Sequence, residues 1–84
     1  MREATEFNIN WFYGAKPIYG MWCNASGTIY YSCSNIIRGK FIVVSFSKND
    51  NNTFTPTGIF EYTFDEFNAI APENVVKECI RIYS

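Results

Sequence analysis

The sequence predicts an α+β domain: an antiparallel sheet of about five strands with one short helix packed on one face. Three features carry that expectation. Apolar residues alternate or run together in β-branched stretches, Asn, Gly and Pro punctuate those stretches, and a capping box precedes one short apolar stripe. A small closed β-barrel is the alternative, favoured if the helix is a single turn and the rings fill an interior.

Residues 4–13 place Phe7, Ile9, Trp11 and Tyr13 on one face and Glu6, Asn8 and Asn10 on the other. That is the period of a half-buried strand, although Phe12 breaks its polar side. Pro17 then removes a backbone donor and interrupts the ladder. Residues 18–34 form the clearest local pattern, a hairpin around Asn24-Ala-Ser-Gly-Thr28. Asn suits the start of a type I turn, and Gly27 suits a left-handed bulge position. With Asn24 and Thr28 flanking the loop, Cys23 faces Ile29, Trp22 faces Tyr30 and Met21 faces Tyr31. A two-residue Ser26-Gly27 turn would shift this pairing by one residue and swap partners. Neither register brings Cys23 close enough to Cys33 for a disulfide, so both thiols are expected to be reduced.

Residues 40–47 are apolar on both faces and rich in β-branched side chains, as a central strand should be. Ile42, Val44 and Phe46 lie on one side, Phe41 and Val43 on the other. Residues 48–52 read as a polar loop; they lack the spaced carboxylates and glycine of a calcium loop. Residues 57–63 read as a further strand with Phe60 and Tyr62 inward and Ile59 and Glu61 outward, and Pro56 marks an edge or a strand start. Thr63-Phe-Asp-Glu66 forms the capping box, with Phe64, Phe67 and Ile70 near one stripe and Pro72 ending the helix. Residues 75–83 fit either a strand or a helical stripe of Val76, Cys79, Ile80 and Tyr83; their β-branched content favours the strand.

The 84 residues make a single domain, and eight Phe, six Tyr and two Trp supply the apolar area that so short a chain otherwise lacks. The formal net charge of −1 and scattered basic residues disfavour duplex nucleic acid as a partner. No apolar run is long enough to span a bilayer, and the first residues lack a signal-peptide layout, so no membrane association and a cytoplasmic location are expected. The two glycosylation sequons, at Asn24 and Asn51, then carry no meaning.

The chain contains no histidine, which removes the usual proton shuttles, triads and metal sites. Cys23, Cys33 and Cys79 sit in apolar stretches as buried, inert thiols without zinc-like spacing. Asp65 and Glu66 are accounted for by capping, and the glycines are isolated turn residues. No catalytic residue, metal or cofactor is therefore assigned.

The surplus of rings points instead to a contact surface. In the register above, Trp22 and Tyr30 form a facing pair flanked by Gly20 and Ser32, and Tyr and Trp are enriched at interface hot spots. The leading expectation is a small non-enzymatic interaction protein, an inhibitor or adaptor of the kind phages and mobile elements encode. It would dock an aromatic surface onto a larger protein partner or onto its own copy. The alternative is a binder of a nucleotide or single-stranded nucleic acid, with bases stacking on exposed rings and Arg38 and Lys40 meeting phosphate.

Overall fold

A computed structural model of the chain describes residues 2–3 and 21–83. The strand expected over residues 4–13 lies outside the described residues, as does the start of the hairpin before residue 21. Among the described residues are five antiparallel strands: β1 (Arg2–Glu3), β2 (Trp22–Cys23), β3 (Tyr30–Ile37), β4 (Lys40–Lys48) and β5 (Phe54–Tyr62). They lie in the order β1-β5-β4-β3-β2, and the sheet is open. Two helices follow, α1 (Phe64–Ile70) and α2 (Glu73–Tyr83).

β4 is central, as its two-sided apolar sequence predicts. Phe41 and Val43 join the larger core beneath the helices, and Ile42, Val44 and Phe46 join a second cluster on the opposite face. The β3–β4 turn places Arg38 and Gly39 at φ 52° and 75°. Two consecutive left-handed residues are what a two-residue hairpin demands, and Gly39 meets that demand without steric cost. Pro56 is tolerated inside β5 because it sits where the β4–β5 register shifts between Ser45 and Phe46. Ile59, expected to point outward, is buried in the second cluster. The reason is the face itself: with Ile42, Val44 and Phe46 on it, that side of the sheet is apolar, so an outward residue of β5 joins a core.

Thr63 caps α1 through the predicted box. Its hydroxyl accepts from Glu66 N at 3.2 Å, and Glu66 Oε1 accepts from Thr63 N at 2.9 Å. Of the anticipated stripe only Phe67 is buried; Phe64 and Ile70 stay exposed. Residues three apart on a helix drift by 60° per step, so the outer two fall off opposite sides of the narrow contact with the sheet.

The C-terminal segment is a helix rather than the expected strand. Read as a strand, each face of residues 75–83 would mix charge with apolar groups. Wound as a helix, Val75, Val76, Cys79 and Tyr83 gather on one side and pack into the larger core. Ion pairs Glu73–Lys77 and Glu78–Arg81 brace the outer side. Burial of that stripe outweighs the few tenths of a kcal/mol per residue, roughly, by which β-branched residues disfavour helix. No helix among the described residues is long and apolar enough to cross a membrane.

Candidate functional site

The site begins at the hairpin between β2 and β3. Gly27 N donates to Asn24 O at 3.0 Å and Gly27 has φ 71°, so the turn and the left-handed glycine are as predicted. The flanking pair is not. Asn24 N donates to Ile29 O at 3.0 Å, so Asn24 faces Ile29 rather than Thr28. The extra residue is held by the Asn24 side chain, whose Oδ1 accepts from Thr28 N at 2.9 Å and Ile29 N at 3.1 Å. In consequence Trp22 pairs with Tyr31, and Cys23 with Tyr30. This is the pairing expected of the two-residue Ser26-Gly27 alternative, one residue from the leading expectation.

That shift decides which rings meet. Trp22 stacks on Tyr31, with centroids 5.6 Å apart and planes 25° from parallel. Its other contact is edge-on to Phe67 of α1 at 5.6 Å, and Phe67 stacks in turn on Phe41 at 4.5 Å. Tyr30 projects to the opposite face, where it meets Phe54 edge-on at 5.3 Å. The expected Trp22/Tyr30 pair is therefore replaced by Trp22/Tyr31, because neighbouring residues of a strand face opposite ways.

Beside the stacked pair opens a pocket of about 330 Å³, within the size range of small-molecule and side-chain sites. Trp22, Tyr31 and Tyr62 form its aromatic wall, Ile70 of α1 its apolar rim, and Cys23 to Ala25 its loop side. Trp22 and Tyr31 are half-buried, and Ile70 is 45% exposed. Tyr62 is buried, and that burial, with Tyr31 and Glu66 nearby, pushes its hydroxyl above the ordinary tyrosine range. The phenol therefore remains a neutral hydrogen-bond donor at the pocket wall. None of the described lining residues is Lys, Arg, Asp or Glu.

A second hollow of about 490 Å³ lies between the two hairpin loops at the same end of the sheet. Tyr30 contributes the ring; residues 27–28, 47–50 and 52 supply the polar walls, with Lys48 and Asp50 the charged groups among them. Thus Trp22 and Tyr30 line separate depressions. Arg38 and Lys40 lie at the β3–β4 turn, about 20 Å further along the sheet from Tyr31 at strand spacing. The structure does not bring these cations to either ring.

All three cysteines are free. Cys33 and Cys79 are buried as expected, but Cys23 is exposed at the pocket edge, because the shifted register turns its side chain away from the helix-covered face. Sequence reasoning overlooked Tyr31, Tyr62 and Ile70 as site residues. The inward orientation of Tyr62 was readable from strand alternation, and Tyr31 required only the other register. Ile70 carried no signal, since its place beside Trp22 depends on how α1 crosses the sheet. The chain matches no known protein family, no curated protein and no solved structure.

Proposed function

We propose that this chain is a small non-enzymatic interaction protein that docks through the Trp22/Tyr31 pocket onto an apolar side chain of a larger protein partner. The observation that carries this reading is the half-buried Trp22–Tyr31 stack opening into a pocket rimmed by exposed Ile70. A rigid aromatic wall with an apolar rim offers the desolvated area on which interface hot spots depend. No Lys, Arg, Asp or Glu is among the described lining residues, which supports binding over acid–base catalysis in this pocket. The same lining offers no cation for phosphate, so base stacking with phosphate contacts is the weaker reading. A cytoplasmic accessory protein of a phage or mobile element suits this small, chemically quiet domain, whose thiols are all free.

The test compares two pairs of charge and ring changes in a pull-down from the source cell. Trp22→Ala and Ile70→Glu should each abolish recovery of a partner that the unaltered chain captures, whereas Arg38→Glu and Lys40→Glu should leave it intact. Retention of the partner by both pocket variants, or its loss with the two turn variants, would refute the reading. Self-association follows the same logic, with dimer elution in size-exclusion chromatography as the readout.

A further inference from the structure

Behind the pocket, the larger core contains a feature that docking does not use. Cys33 on β3 and Cys79 on α2 are 3% and 4% exposed and belong to one packed cluster. The two thiols perturb each other: the Cys79 thiol, with burial, raises the Cys33 thiol, while the Cys33 thiol draws Cys79 down against the opposing effect of its burial. Two further contacts fix the geometry. β3 bulges between Cys33 and Asn35, with Cys33 Sγ 3.6 Å from Asn35 O, and bulges re-aim the side chains beside them. One helical turn beyond Cys79, the Tyr83 hydroxyl donates to Cys33 O at 3.2 Å and seats this face of α2 over the strand.

We propose that Cys33 and Cys79 form a dithiol poised to close into a disulfide that pins α2 to β3 when the protein meets a hydroperoxide. The chemistry has two steps. The Cys79 thiol loses its proton and attacks the peroxide oxygen; the O–O bond breaks, the leaving hydroxide takes up that proton as water, and Cys79 becomes a sulfenic acid. The Cys33 sulfur then attacks the Cys79 sulfur, the S–O bond breaks, and the Cys33 proton leaves with hydroxide as a second water. Two thiols are oxidised and one peroxide is reduced to two waters. Hydrogen peroxide is small enough to enter through the local openings that native proteins undergo. The resulting bond would join segments far apart in the chain, where cross-links restrict the unfolded state most.

The experiment uses Cys23→Ser, a change at an exposed position that removes intermolecular pairing. After treatment with hydrogen peroxide and blocking of residual thiols, non-reducing peptide mapping should recover the fragment containing Cys33 linked to that containing Cys79. Both thiols should disappear in parallel from a monomeric species. Its Tm should rise by on the order of 10 °C and return on reduction with dithiothreitol. Sulfinic acid at Cys79 with Cys33 still open to alkylation would overturn the proposal. So would two intact thiols at peroxide levels that fully oxidise Cys23 in the unaltered chain. In Cys33→Ala the sulfenic acid at Cys79 should persist long enough for trapping by dimedone; Cys33–Cys79 linkage in Cys23→Ser settles the matter if that variant fails to fold.

Discussion

The two hairpin loops at one end of the sheet start alike and end differently. Each opens with Asn, at 24 and 49, and the amide three residues later donates back to it, from Gly27 at 3.0 Å and from Asn52 at 3.1 Å. Each puts that later residue in the left-handed region, Gly27 at φ 71° and Asn52 at φ 63°. The second loop then closes at once, with Asn49 N donating to Thr53 O at 2.8 Å, whereas the first admits Thr28 before closing on Ile29. One residue of loop length thus decides whether Trp22 faces Tyr31 over the helices or Tyr30 on the other side. The lesson is that the candidate pocket is a product of turn geometry before it is a product of ring chemistry.

Deleting Thr28 is the harshest way to break the comparison. The first loop would then match the second, Trp22 would leave Phe67, and stability in urea should fall by about 3 kcal/mol, the scale of losing a large buried ring. Near-native stability with Trp22 fluorescence unchanged would show that the register is set elsewhere. Asn24→Ala should cost about 2 kcal/mol, since its side chain serves two backbone amides. Asn49→Ala should cost about half as much, roughly one hydrogen bond's worth, because its side chain bonds only the hydroxyls of Thr53 and Thr55. Equal losses in denaturant titrations would contradict the different roles assigned to the two asparagines.

The left-handed positions give a smaller pair of effects with opposite signs. A methyl group at Gly27 would meet nothing within 4 Å, so Gly27→Ala tests backbone strain alone and should destabilise by about 1 kcal/mol. Asn52→Gly should stabilise by roughly 0.5 kcal/mol, since glycine adopts the same conformation without strain. Calorimetric Tm shifts in the same direction for both would be incompatible with this account.

The smallest expected effect is on pH dependence. Tyr62 titrates above the ordinary tyrosine range, first because of burial and then because Tyr31 and Glu66 are near. A folded state that retains this proton longer than the unfolded chain is favoured below about pH 10. That contribution is lost as pH rises from there through the folded value. Tyr62→Phe should flatten the alkaline decline in stability, read as denaturant midpoints against pH. An alkaline limb identical in the two proteins would remove Tyr62 from the explanation.

Elements governed by short-range rules were legible in the sequence. β4 declared itself by apolar residues on both faces, and α1 by the capping box at Thr63 and Glu66. The sheet, the polar β4–β5 loop and the opposite orientation of Phe41 and Ile42 followed from the same kind of evidence. What resisted was set by tertiary choice. Residues 75–83 satisfy strand propensity locally, and only the helical stripe of Val75, Val76, Cys79 and Tyr83 against β3 decides for α2. The site was half legible: Trp22 stands in it, but its partner changed with the register. Arg38 and Lys40 are adjacent to the rings in sequence terms only, because an eight-residue strand carries them to the far end of the sheet. Cys23 was misplaced for the same reason as Tyr30.

The unbroken succession of β3, β4 and β5, linked by two short turns, has a kinetic corollary. Its pairings close small loops at little entropic expense, whereas β1 must find β5 across a separation of 59 residues from Arg2 to Glu61. Folding should therefore nucleate in the meander, with conservative substitutions at Val43 and Val44 slowing refolding and those at Arg2 mainly hastening unfolding.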